Sequence, residues 1–515
     1  MAILALLAGA FAYAMLPGSS TFTVSTETTY VTGPLDKSGY VDYVTALNER
    51  LSKGITPENN ANVLIWQALG PRPTGDTAMP AEYFQWLGIE PPPEQGEYLV
   101  DWRDYLKEHA KSDTEVETYV ERMSQATQWP WTAKKEPELA EWLKRNEKPL
   151  AVMMDATRHP QYYNPLVPER TDDWSPGLLA SLLPNVQQCR KAASALACRA
   201  MLRVSEGRID EAWQDLLACH RLGRLVARGG TLLELLVGIA IDRVASRADV
   251  AFLGHAKLTS KQVLACLEDL RKLPPMPAVA DKMDLTDRFT LLEIITLTAR
   301  QGKQFLEAMP RPNDRHRKGN QFVARLFTRS INWDPALRNT NHWFDRFTAA
   351  LRIADRAARV QELAAIRRDL TLLKRQVTAI GFIEKSLMGP ERRGEMSGNV
   401  IIVFLLPAFD KVQSAEDRFE QEQRNLHLAF LLAAYRQDHG RYPERLAELA
   451  PKYLVNVSGD LFSGKPLIYR REGEGYLLYS VGRDGIDDEG RGYDDEPQGD
   501  DLSVRMPLPE PRRKE

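Results

Sequence analysis

The chain has 515 residues, with 67 Lys and Arg against 70 Asp and Glu and a formal charge of −3. That near balance argues against a dedicated nucleic-acid binder, which needs a strongly basic face. At 43% hydrophobic and 27% charged the composition is ordinary and globular, with material for about three domains.

Residues 1–16, MAILALLAGAFAYAML, form an apolar run with the length of a signal h-region. Ala12-Tyr13-Ala14 is a small-x-small cleavage candidate, but the positive n-region is missing. Whether signal peptide or membrane anchor, the segment predicts an envelope location, periplasmic or extracytoplasmic, with membrane contact through this end. Residues 20–32, rich in threonine and valine, read as β-prone. A short helix follows over 40–51. From 59 to 168, helical pieces such as NNANVLIWQAL and ELAEWLKRNEKPLAVMMDAT alternate with proline joints such as Pro91-Pro92-Pro93. Seven of the ten tryptophans lie from Trp66 to Trp174, and packing of helices around those joints is the expected reason.

Residues 185–253 carry the most regular pattern. They predict two antiparallel helices joined at Gly207-Arg208-Ile209-Asp210, with Asp210 as N-cap. This stretch resembles one tetratricopeptide-type hairpin, although no recurrence at that repeat's spacing accompanies it. The next helix opens GGTLLELLVGIAI from Gly229, which mimics a prepilin cleavage signature. Asp242 and Arg243 end its apolar run well short of a membrane span, so a buried helix is expected. KLPPMP, from Lys272, reads as a hinge. Leu363, Ile366, Leu370, Leu373, Val377 and Ile380 step by three and four as a seam for an intramolecular helix pair. Residues 311–329 carry a net charge of +5 and read as a solvated loop.

The remaining residues hold the functional information. An apolar stretch from Val400 leads through Pro407, a kink position, into a charged segment and then NLHLAFLLAAYRQDHGRYP. Leu426, Phe430 and Ala433 share a face that Leu428, Leu431, Leu432 and Tyr435 widen, so this helix end must be wrapped by other elements. His439-Gly440 stops it, and Leu446 and Leu449 face inward from a short helix after Tyr442-Pro443. Strands over 466–470 and 476–481 flank a glycine-bearing hairpin connection. From Asp484 to Asp501 there are nine acidic residues and one basic residue, Arg491, a local charge of −8 that needs counter-charge or full solvation.

The helix, DLFSGKPLIY and YLLYSVGRDG, in that order and spacing, resemble type IV pilin-like proteins, and in particular the type II secretion major pseudopilins. The resemblance covers about a fifth of the chain. It implies a loop that holds calcium through aspartates and backbone carbonyls, with Asp484 as the first aspartate and Asp500 or Asp501 as the closing one. Asp487 and Asp488 are further candidates. The family's tryptophan-glycine-asparagine turn is here Phe462-Ser463-Gly464-Lys465, and the acidic loop is longer than the family's. The leader, cleavage glycine and N-terminal glutamate of a processed pilin do not precede Val400, so the resemblance implies a pilin-like domain reused in a larger protein.

Other chemistry is thinly represented. Cys189, Cys198, Cys219 and Cys266 fall on predicted helices without metal-ligand spacing, and free core thiols are expected. The run from Gly459 to Pro466 imitates a phosphate loop but puts proline where a hydroxyl is needed. Asp155 with His159, near Tyr162 and Tyr163, and Glu293 within LLEIITL are the catalytic candidates, with pairing to Arg300 the plainer expectation for Glu293.

The expected fold class is mainly α: a helical N-terminal and central region, then a small C-terminal α+β pseudopilin-like domain made of a long helix and a short antiparallel hairpin. The expected division is 1–16 signal peptide or anchor, 17–180 a mixed, mostly helical region, 181–390 a helical hairpin domain, 391–505 the pseudopilin-like domain and 506–515 a tail. The function expected is that of a non-enzymatic, envelope-associated structural or interaction protein. It would have protein partners, no nucleic-acid partner, and calcium on its C-terminal loop. The alternatives are an extracytoplasmic hydrolase on a helical scaffold and an accessory component of a secretion or pilus machine.

Overall fold

The computed structural model describes residues 20–509 apart from 74–77, 110–111, 169–176, 182, 302–330, 377–388, 406–408 and 457–458. The apolar leader, the basic stretch 311–329, Trp174, Pro407 and the seam positions Val377 and Ile380 lie outside the described residues. Among the described residues no helix is long and apolar enough to cross a membrane.

The N-terminal part is a short strand β1 (Ser20–Thr21) followed by small helices. These are α1 (Tyr43–Leu51), α2 (Ala61–Leu69), α3 (Ala81–Leu87), α4 (Trp102–Glu108), α5 (Asp113–Ala126), α6 (Pro137–Arg145) and α7 (Glu147–Ala156). The β-prone reading of 20–32 yields only those two strand residues. Beyond them, hydroxyls compete for the backbone: Thr29 Oγ1 donates to the Ser25 carbonyl at 2.9 Å and accepts the Ser25 amide at 3.1 Å, closing a turn instead of a strand. Helix starts are set by side-chain caps, Asp42 on the Thr45 amide and Ser112 with Glu115 as a reciprocal box. Trp66, Trp102, Trp131 and Trp142 are buried, as packing around proline joints requires. A buried polar chain ties this region to the centre: Trp66 Nε1 donates to Tyr83 Oη at 2.7 Å, Tyr83 to Asn164 Oδ1 at 2.6 Å, and Asn164 Nδ2 to Glu234 at 2.7 Å.

The central core is built from α8 (Pro184–Ser205), α9 (Ile209–Ala227), α10 (Leu232–His255) and α11 (Ser260–Arg271). Alanine and glycine let these helices approach closely. A Cβ on Gly238 would stand 2.5 Å from the Gly223 carbonyl oxygen and 2.7 Å from Ala227 Cβ. Asp210 is not the N-cap of α9: the helix starts at Ile209 with Arg208 in that place and no side-chain cap. The joint is tighter than expected because Gly207, at φ 76°, ends α8 while the Arg208 amide reaches back to the Arg203 carbonyl at 2.9 Å. Asp210 instead lies in the first turn, where its charge favours the helix dipole. The prepilin-like stretch is the buried start of α10, its Glu234 serving a capping box with Thr231.

Next come α12 (Val279–Lys282), α13 (Arg288–Gln301), β2 (Ile331–Asn332), α14 (Asp334–Leu351), α15 (Arg356–Gln376) and α16 (Pro390–Leu405). β2 pairs in parallel with β1, Ser20 opposite Ile331. Leu363, Ile366 and Leu370 of the predicted seam are buried, and α15 packs on α14 and α16. α16 lies against α14, so residues 390–405 pack with the central helices.

α17 (Phe409–His439) then runs along α10 and α11 into the main core, where Leu426, Phe430 and Leu432 are buried and Trp213 meets Phe430 edge-on. After a 3-10 turn at Leu446–Leu449 comes an antiparallel sheet of order β3-β4-β5, comprising β3 (Ile468–Glu472), β4 (Gly475–Ser480) and β5 (Leu502–Met506). The hairpin register, Ile468 opposite Tyr479 and Glu472 opposite Gly475, leaves a two-residue turn, Gly473-Glu474. The strands extend further into the connection than expected because Gly473 takes φ 57°, which lets so short a turn match the strand twist. β5 runs one residue past the boundary expected at 505, and Met506 is buried. The protein is mainly α with a small α+β C-terminal part.

Candidate functional site

The loop from β4 to β5 is held together by its own carboxylates. Gly482, at φ 67°, turns the chain out of β4 where a Cβ would stand 2.3 Å from the Asp500 carbonyl oxygen and 2.4 Å from its Oδ1. Asp500 Oδ2 accepts the amides of Arg483 and Asp484 at 3.0 and 3.2 Å. Asp484 Oδ1 accepts the Ile486 amide at 2.7 Å, and Asp488 Oδ2 accepts the Asp500 amide at 3.0 Å. One oxygen each of Asp484, Asp488 and Asp500 can be chosen so that all lie within 4.8 Å of one another.

Five aspartates were candidates from sequence, and the fold gathers three. Asp487 Oδ1 accepts the Tyr479 hydroxyl at 2.9 Å, which turns it towards the sheet. Asp501 Oδ2 accepts the amides of Gly490 and Asp488 at 2.7 and 3.1 Å, so it braces the loop. Burial pushes both closing carboxyls upward. Asp500 is raised by burial and then by Asp484, and Asp501 is pushed up to about 6 by burial and then by Asp488 and Asp487. Arg491 approaches Asp488 only to 3.8 Å. Asp500 Oδ1, like Asp501 Oδ1, is buried with no hydrogen-bond partner among the described residues. A buried, unpartnered carboxylate oxygen beside two further carboxylates suits a hard cation, which takes oxygen ligands on a flexible loop. Asp484, Asp488 and Asp500 would hold it.

Sequence reasoning missed Asp460. Its Oδ1 accepts the Ser480 hydroxyl at 2.6 Å and the Phe462 amide at 3.0 Å, and its Oδ2 accepts the Ser463 hydroxyl at 2.7 Å. Burial works to raise this carboxyl, but the hydrogen bonds outweigh it and the net shift is downward. Asp460 thus fastens the turn Phe462-Ser463-Gly464-Lys465 to the end of β4. The local signal was an aspartate two and three residues before backbone and hydroxyl donors.

The catalytic candidates do not converge. Asp155 is exposed and pairs with Arg158 at 2.6 Å, the His159 ring lies against the Asp155 carbonyl, and Tyr163 donates to Asn48. Glu293 does not pair with Arg300, which bonds Asp36 at 2.9 Å and lies over Tyr40. It accepts the Leu178 amide at 2.6 Å instead, and burial, with Asp42 adding to it, pushes its carboxyl up to about 8. All four cysteines are buried and free. Two further features escaped the sequence. His220 is buried between Asp249, at 2.8 Å, and Asp242, at 3.2 Å. A cavity of about 680 Å³ opens between α5, α10, α17 and β5, with residues 490–495 as one wall.

Comparison with protein-family models, with curated proteins and with solved structures finds no match to this chain. Fold and site therefore define the class alone: a mainly α protein with a small C-terminal α+β unit bearing a three-aspartate loop.

Proposed function

We propose that the chain is a non-enzymatic, envelope-associated structural and interaction protein whose pseudopilin-like C-terminal unit holds calcium on the β4–β5 loop. One observation carries the cation: Asp484, Asp488 and Asp500 come together around the buried, unpartnered Oδ1 of Asp500. The envelope location and the membrane contact rest on the apolar run at residues 1–16. The interaction role rests on the helical body and on the reuse of a pilin-like unit inside a longer chain. As an accessory component of a secretion or pilus machine it would act through the same surfaces.

The test is a thermal melt of the full chain with calcium, magnesium and excess chelator, paired with calorimetric titration of calcium. Calcium should raise the melting temperature with the logarithm of its concentration once that exceeds Kd, and chelator should remove the gain. Identical melts in calcium and chelator, with no binding heat, would sink the cation reading.

The hydrolase alternative would use the cavity beside β5, where Glu422 and Asp501 sit near arginines. Glu422 is already bonded to Arg243 and Arg418 and Asp501 to two amides, which favours recognition over proton transfer.

A further inference from the structure

We propose that the free edge of β5, with the arginine-lined cavity beside it, docks an extended acidic segment of a partner protein. Two independent observations carry this, one from the backbone and one from charge.

The first is the ladder. A two-residue turn is closed by a mutually hydrogen-bonded pair, here Glu472 and Gly475. Along β4, Gly475, Leu477 and Tyr479 therefore spend their backbone groups on β3, and Tyr476, Leu478 and Ser480 spend theirs on β5. Their partners there are Met506, Val504 and Leu502. The N–H and C=O groups of Ser503 and Arg505 consequently point off the sheet. Asp501, next in that series, has its amide taken by the Arg491 carbonyl at 3.0 Å. No described residue bonds the amides or carbonyls of Ser503 and Arg505 at that edge, and both residues line the cavity. An unpaired edge inside a walled groove is the geometry of strand addition.

The second is the charge of the walls. Arg243, Arg247 and Arg418 share two carboxylates, Glu422 and the exposed Asp494, and Arg505 has no carboxylate partner among the described residues. With Arg491, Asp495 and Asp501, which also line the cavity, the walls carry five arginines against four carboxylates, a net charge of +1. Burial lowers the Arg243 pKa, Glu422 works against that, and the Arg418 and Arg247 charges add to the lowering. The one guanidinium in excess, that of Arg505 at the strand edge, favours a carboxylate, which arginine meets in a two-pronged geometry. Asp494 already places one solvent-exposed carboxylate 3.3 Å from Arg247, where an incoming acidic residue would replace it.

This inference gives the interaction reading a surface and a partner chemistry, and it is independent of the cation. The probes are two synthetic octapeptide pools, capped at both ends and carrying a neutral dye, with Val, Thr or Tyr at alternate positions and Glu in one pool or Lys in the other. Fluorescence anisotropy with the full chain should show the Glu pool binding at least about tenfold more tightly, weakening as salt rises. Methylating the edge-facing backbone nitrogens of the Glu pool should abolish binding. Ser503→Pro removes an amide that the fold does not use and should cost about tenfold in affinity with the melting temperature kept. Arg505→Glu, a surface change, should do the same through charge. Equal binding of the two pools, no binding by either, or full binding by both variants would overturn the proposal. Each titration is run in calcium and in chelator, so peptide binding that survives a failed calcium experiment removes only the cation reading, and the reverse removes only this one.

Discussion

Asp488 accepts the backbone N–H of Asp500 at 3.0 Å, so the two carboxylates that share the cluster are joined through the amide of one of them. Neither can leave without opening the loop. Asp500 in turn accepts the amide of Asp484, which extends the chain of bonds to the third aspartate. The hydrogen bonds hold each carboxylate by one oxygen, while Asp500 Oδ1 stays buried with no partner among the described residues.

Asp500→Asn should therefore separate cation binding from folding. The amide keeps one acceptor oxygen and removes a charge from a crowded site, so in chelator the variant should be as stable as the parent or slightly more so. With calcium at about a hundredfold its Kd the parent gains about 2.7 kcal/mol and the variant should gain almost none. Melting curves with and without calcium measure both. A variant stabilised by calcium as much as the parent would remove Asp500 from the site.

The raised carboxyl of Asp501 gives a pH signature. Its folded pKa of about 6 lies above the ordinary aspartate value of 3.8, so the folded state binds the extra proton between these limits. Its contribution to stability is present below 3.8 and is lost as pH rises through about 6. Denaturant midpoints in chelator should rise as pH falls from 7 towards 5. Saturating calcium, which favours the ionised form, should flatten that rise.

Glu293 repeats the logic in the core, without a cation. Burial holds its carboxyl up to about 8 against 4.5, so it stays protonated at neutral pH and stability falls as pH climbs from 4.5 through 8. Glu293→Gln preserves an acceptor for the Leu178 amide and cannot ionise. Its urea midpoint should overtake the parent's by pH 9, whereas a parallel loss in both proteins would show that another group titrates.

Gly238→Ala tests the close approach of α9 and α10. The new methyl would stand 2.5 Å from the Gly223 carbonyl oxygen and 2.7 Å from Ala227 Cβ, with backbone on one side that cannot swing away. Overpacking of this kind costs roughly 1–3 kcal/mol. Equilibrium unfolding by guanidinium measures it, and an unchanged midpoint would mean that the helices separate freely.

Periodicity made the helices legible. The all-round apolar end of α17 has to be enclosed, and Leu426, Phe430 and Leu432 are. The hairpin was legible too, because apolar strand residues flank a glycine. β5 was not: LSVRM is short, carries an arginine and follows a long acidic loop, so nothing local distinguishes it from a tail. Asp210 was misplaced because a cap depends on which residue adopts non-helical geometry, and the glycine at 207 moved that position.

The amino-acid order by itself determined the mainly α class, the acidic loop and its glycine breaks, because these follow from spacing along the chain. Only the tertiary structure decided which three of five aspartates meet, that Glu293 bonds an amide instead of Arg300, and that Ser503 and Arg505 face off the sheet. The physical reason is that carboxylate positions depend on amides brought in from elsewhere in the fold, and a strand edge exists only once its other side is paired.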